Sequence, residues 1–175
     1  LHPTDMALQP SGLDLLGLER IAAEALAGAG AADELPVNVG KVIASNGGRI
    51  ELTGPPVPGL TTPDIEIYAN HDYLVRVPAS LGRPRQRFLA ACGLARHLLH
   101  YSYHLVPPYL PQPSGDPDAR MQWEAHAFAA ALLMPRTRVQ EALAEGLDTA
   151  HGLAYHFDVT ETLIDWRIQM MQTLA

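Results

Sequence analysis

The chain has one cysteine, one lysine and few charged residues of either sign, and each shortage removes a class of function. Cys92 is the single cysteine among 175 residues. It excludes an intrachain disulfide and suits a reducing, cytoplasmic setting. Of the 12 basic side chains only Lys41 is a lysine, and the formal net charge is −7. That balance argues against broad electrostatic binding of nucleic acid. Charged residues make up 18% of the chain and hydrophobic residues 47%, enough apolar material for a packed core. No apolar run is long enough to span a bilayer, no signal-peptide pattern opens the chain, and there are no internal repeats. The numbering opens at Leu1, which reads as a processing boundary, with Met6 as an alternative native start.

The pattern of apolar residues predicts the elements in order. Ser11 with Asp14 forms a capping-box signal. Leu15, Leu18, Ala22, Ala25 and Leu26 then recur at helical spacing up to Gly28 and Gly30. Asn38 caps a short helix carrying Val39, Val42 and Ile43, which Asn46-Gly47-Gly48 stops. A strand is expected over Arg49 to Leu52, followed by a proline loop from Thr53 to Pro63. Asp64 to Ala69 and Tyr73 to Val77 flank Asn70-His71-Asp72 as a hairpin. Pro84 starts a long helix expected to run to about His104. A second proline-rich loop runs from Val106 to Asp118, and a further helix from there to Met134 stops at Pro135. Three short helices are expected near Arg138 to Ala144, Thr149 to Phe157 and Thr160 to Thr173. The order implies an α+β fold, a small sheet containing antiparallel strands packed on helices.

Two segments carry the chemical question. Arg87-Phe88-Leu89-Ala90-Ala91-Cys92-Gly93-Leu94-Ala95-Arg96-His97-Leu98-Leu99-His100 is followed by Glu124-Ala125-His126-Ala127-Phe128-Ala129-Ala130-Ala131-Leu132-Leu133-Met134-Pro135. Together they resemble the ImmA/IrrE family of bacterial zinc metallo-endopeptidases. That family carries a stretch close to R-F-T-x-A-H-E-x-G-H-x-L-L-H and then E-A-N-x-F-A-x-x-L-L-M-P. Arg85-Gln86-Arg87-Phe88 and Leu153-Ala154, Phe157, Val159-Thr160 and Arg167 are also similar to that family, so the resemblance spans roughly Pro36 to Arg167. It implies a zincin-like metallopeptidase core with a helical C-terminal tail. The single domain then divides into an N-terminal helix (1–35), a core (36–135) and a helical segment (136–175).

An H-E-x-x-H motif puts two imidazoles on one helical face around a zinc ion, and its glutamate takes a proton from the zinc-bound water. A third ligand comes from a second helix. Laid on the family pattern, the zinc histidines fall on Cys92 and Arg96, the catalytic glutamate on Gly93, and the third ligand on Glu124. A thiolate can bind zinc. A guanidinium cannot, because it has donors only and stays charged. Gly93 supplies no base, and losing a positioned base costs about 10²- to 10⁴-fold in rate. No His-Glu dipeptide occurs elsewhere in the chain. In the absence of a metal, Glu124 is expected to pair with Arg96, since a buried carboxylate without a partner is costly.

Other residues weigh less. His97, His100 and His104 fall within about 60° of each other on a helix, which offers a relocated metal site or, more plainly, packing. Cys92 reads as a small core residue, and His126 points away from the face of Glu124. Arg83, Arg85 and Arg87 form a short basic run expected in a solvated loop, with one of them structural. The segment from Gly152 to Met171 looks like a helix-turn-helix. However, Thr160, Glu161, Thr162 and Asp165 stand where a DNA-reading helix needs basic or amide side chains.

The expectation is therefore a catalytically degenerate relative with no catalytic residue and no cofactor, binding a repressor-type transcription regulator or an active homologue. The alternative is a metal-dependent endopeptidase that cleaves such a repressor, with zinc held by Cys92, Glu124 and one nearby histidine, His97, His100 or His126.

Overall fold

In the computed structural model, which describes residues 2–55, 64–106 and 112–174, Asp14 rather than Ser11 caps the first helix. The Asp14 carboxylate accepts from the Gly17 amide at 2.9 Å, and α1 runs Leu15–Gly28. The expected capping box does not form, because Ser11 is engaged elsewhere. Leu15, Leu18, Ala22 and Leu26 of α1 are buried. Asn38 caps α2 (Val39–Ser45) by accepting from the Lys41 amide at 3.0 Å.

β1 (Gly48–Thr53), β2 (Asp64–Ala69) and β3 (Asp72–Pro78) form one mixed sheet in the order β1-β3-β2. β2 and β3 are the expected antiparallel hairpin, turning at Asn70-His71, where His71 takes a positive φ of 60°. β1 lies parallel to β3. The central strand β3 alternates from Asp72 to Val77: Tyr73, Val75 and Val77 are buried and form the floor on which α3 packs. β2 is an edge strand.

α3 spans Arg83–His100, with Pro84 in its first turn. It stops four positions before the expected end at His104, and a 3-10 turn over Ser102–His104 follows. Contacts distant in sequence draw the chain off the helix axis. The Ser102 hydroxyl donates to Asn70 Oδ1 at 2.7 Å, and His104 Nε2 lies 3.1 Å from the Gln9 carbonyl.

α4 covers Pro117–Leu133, with Asp116 as its cap. The small side chains Ala125, Ala127, Ala129, Ala130 and Ala131 on α4, and Ala90, Ala91, Gly93 and Ala95 on α3, are all buried. Small residues there let the two helices lie close together. α5 (Arg136–Ala144), α6 (Ala150–Phe157) and α7 (Glu161–Gln172) complete the chain. The architecture is α+β: a three-stranded sheet with seven α-helices among the described residues.

Two arginines bind the layers together. Arg83, Arg85 and Arg87 lie in the opening turns of α3, not in a loop ahead of it. Arg87 is the structural one: it donates to the Val37, Asp158 and Phe157 carbonyls at 2.7, 3.1 and 3.4 Å. Arg167 of α7 is buried, pairs with Glu19 of α1 and donates to the Met134 carbonyl at 3.1 Å. Of the prolines expected in loops, Pro56, Pro58, Pro63, Pro107, Pro108 and Pro111 lie outside the described residues. Among those residues no helix is long and apolar enough to cross a membrane.

Candidate functional site

Glu124 is the centre of the site, and its side chain is fully buried. It projects from the first half of α4 toward the C-terminal end of α3. Its carboxylate takes five hydrogen bonds. Oε2 accepts from the Ser11 amide, the Ser11 hydroxyl and His100 Nε2, each at 3.0 Å. Oε1 accepts from the Gly12 amide and from Arg120 Nε, also at 3.0 Å. Two oxygens offer about four acceptor positions, so the carboxylate is saturated. Burial alone would raise its pKa, but the bonds from His100, the Ser11 backbone and Arg120 outweigh that and hold it down at about 2.

The expected pair of Arg96 with Glu124 does not form. Arg120, one helical turn before Glu124 on α4, takes that place. Arg120 also donates to the Leu13 carbonyl at 2.7 Å and lies over the Trp123 ring at 4.7 Å. Arg96 is half-buried, and burial lowers its pKa against the opposing charge of Asp118. Sequence reasoning missed Arg120, although its i, i+4 spacing to Glu124 is a recognisable ion-pair signal. It also missed Ser11 and Gly12, for which a separation of more than a hundred residues leaves no local signal.

The histidine stripe divides. His100 faces α4 and donates from Nε2 to the ionised Glu124. Its Nδ1 is buried with no hydrogen-bond partner among the described residues, as follows from a neutral ring protonated on Nε2. Burial lowers the His100 pKa against the pull of Glu124. His97 faces the sheet. Its ring stacks on Tyr73 with centroids 3.9 Å apart, and its Nε2 accepts from the His71 amide at 3.4 Å and lies 3.2 Å from Ser102 Oγ. His104 sits off the helix, on the 3-10 turn.

Burial, with His71 adding to it, pushes the His97 pKa down to about 4. Its folded pKa is below its unfolded value, so below about pH 6.5 the unfolded chain binds the proton more readily. His97 therefore contributes stability above pH 6.5 that is lost as pH falls through 4. Denaturant titrations from pH 7 to 4 should show a fall, with up to about 3 kcal/mol of it from His97. His97→Phe should make that fall shallower; an unchanged slope would refute the assignment.

Cys92, Gly93 and His126 point to separate places. The Cys92 thiol is buried, and burial pushes its pKa well up. It donates to the Ala125 carbonyl at 3.9 Å. Gly93 lies against β3: an added Cβ would fall 2.5 Å from Val75 Cγ1. His126 is half-buried, with its ring tilted on Phe88 at 5.2 Å. Among the described residues no three His, Cys, Asp or Glu side chains converge to hold a metal ion. At the positions where the resemblance places zinc ligands, Arg96 has no lone pair to give and the acceptor positions of Glu124 are all taken, so this donor set does not fit zinc.

The segment ahead of α1 completes the site. It is tied to the β2 edge by the Thr4 amide donating to the Ile67 carbonyl at 2.6 Å. The Gln9 amide donates to the His100 carbonyl at 3.1 Å, and Gln112 Nε2 to the Pro10 carbonyl at 3.2 Å. Gly12 has a φ of 80°, which a glycine adopts without strain and which presents its amide to Glu124 beside that of Ser11.

A peptidase family model described as the IrrE N-terminal-like domain matches residues 60–169, more than half of the chain. No curated protein matches it. The matched span holds α3, α4, Arg120 and Glu124. Ser11 and Gly12 lie outside it.

Proposed function

This chain belongs to the peptidase family of the IrrE N-terminal-like domain, and we propose that it is a catalytically degenerate member, with a zincin-like core serving as a partner-binding module. The saturated carboxylate of Glu124 is the observation that carries this reading. In the peptidase resemblance this residue is a zinc ligand. Here its lone pairs are committed to Ser11, Gly12, His100 and Arg120. Gly93 brings no base, and Arg96 brings a positive charge where a dication would sit.

The partner is a protein, of the repressor-type transcription regulators or an active homologue, in a bacterial cytoplasm. Direct DNA reading by α6 and α7 is disfavoured. Arg167, the one basic residue of α7, is buried against Glu19 and unavailable to phosphate. Glu161 and Asp165 are exposed on the same helix.

Metal content tests the reading. The full chain, purified without chelator, then loaded with zinc and desalted, should retain far less than one equivalent by mass spectrometry. Near-stoichiometric zinc that disappears in Glu124→Ala would overturn the reading. It would favour instead an endopeptidase with a rebuilt site at Cys92, Glu124 and His97 or His100.

A further inference from the structure

We propose that the cleft between the β2 edge, the end of α3 and Glu124 is a peptide-binding site, with residues 4–13 of this chain as its displaceable resident ligand. The partner it fits is a peptide with a small hydroxyl residue followed by glycine. This rests on the reading of the protein as a partner-binding module and specifies what that module binds.

Three observations support this. First, the contacts are those of a bound peptide. Thr4 makes a backbone hydrogen bond to the edge strand β2, and Gln9 makes another to His100, the last residue of α3. Two consecutive amides and one hydroxyl then close on Glu124. Adding backbone to an open strand edge is a general mode of peptide capture. Second, almost everything the segment offers is generic: amide N–H groups and one hydroxyl. Another peptide with serine or threonine before glycine offers the same donors. The glycine is required because the position has a φ of 80°.

Third, the first part of the segment, ahead of Pro10, is weakly held. Residues 2, 3, 5, 6, 7 and 9 are exposed, and only Pro10, Ser11 and Leu13 are buried before α1. Segments with little apolar burial open at far lower free energy than a core. Glu124 and His100, in contrast, stand on the long helices α4 and α3 and are fully buried with the segment in place. A bare Glu124 would be a costly buried charge, so release of the resident segment is coupled to arrival of a replacement. The resident competes at an effective concentration on the order of millimolar, which makes binding in trans weak until the segment is loosened.

The test uses the full chain and a fluorescent peptide with the sequence of residues 4–14. Gly12→Val forces a β-branched residue into a positive φ and loosens the resident without altering the cleft. Anisotropy should show the peptide binding the Gly12→Val chain at least about tenfold more tightly than the unaltered chain. The same peptide with proline in place of its serine should lose about tenfold or more. Equal affinity for both chains, or for both peptides, would overturn the proposal.

Hydrogen exchange on the unaltered chain gives a check that does not depend on a variant folding. The Ser11 and Gly12 amides should exchange at least about a hundredfold faster than the α3 and α4 core amides. Exchange at the core rate would mean a permanent structural segment and would also overturn the proposal. If the peptide binds but is recovered cleaved, the peptide site stands and the non-catalytic reading fails, so the two can be told apart.

Discussion

Gly93→Glu, which restores the residue that the peptidase resemblance places at this position, is expected to cost the protein most of its stability and to return no activity. Gly93 is buried where α3 crosses the central strand, and a Cβ there would lie 2.5 and 2.7 Å from the two Cγ methyls of Val75. Val75 is fully buried on β3, and a β-branched side chain has little rotamer freedom with which to move aside. Relief requires the helix and the sheet to separate.

Gly93→Ala isolates the steric part. Alanine favours a helix by up to about 1 kcal/mol over glycine, while overpacking costs about 1–3 kcal/mol. The expected net loss is about 1–2 kcal/mol. Glutamate adds a carboxylate facing an apolar wall, at several kcal/mol more. The sum approaches the whole stability of a typical domain, about 5–15 kcal/mol. Urea denaturation of both variants checks this, and a more stable Gly93→Ala would refute it. Combining Gly93→Ala with Val75→Ala should recover part of the loss, since the two residues are in contact and their effects should couple.

Glu124→Ala is the second large effect, with an expected loss of about 3–5 kcal/mol. Truncation leaves the Ser11 and Gly12 amides, His100 Nε2 and Arg120 without their shared acceptor, and unfilled buried donors retain their full desolvation cost. Glu124→Gln should be milder. A neutral His100 can switch tautomer and accept from the new amide, whereas at least one backbone amide of the resident segment has no such freedom.

The same residue fixes an acid limb. Its folded pKa of about 2 is below the unfolded value of 4.5. Its contribution is therefore complete above about pH 4.5 and lost as pH falls toward 2. That stage lies below the His97 stage, so acid unfolding should show two successive falls, with Glu124→Gln flattening the lower one. A Gln variant that keeps the full slope below pH 4.5 would show that another carboxylate carries it.

What the sequence determined by itself was the set of local features. The helix cap at Asn38, the turn at Asn70-His71, the helix stop at Pro135 and the apolar periodicity of α1 and β3 all act within a few residues. Their physics is therefore complete in a short window of chain. That Cys92, Gly93 and Arg96 stand where the resemblance expects metal ligands and a base was equally legible, because side-chain chemistry is fixed by residue type.

The tertiary structure alone decided which partners those side chains meet. Arg96 was the expected partner of Glu124, but a saturated carboxylate depends on distance in space, and Ser11 and Gly12 lie 113 and 112 positions away in sequence. Ser11 was drawn from its capping role for the same reason. A charged acceptor buried in the core gains more from its hydroxyl than a solvated helix start does. Gly93 reads in sequence as an absent base, yet in the fold it is a point of contact between α3 and Val75. Only the packing of that helix on the sheet gives a missing side chain a structural purpose.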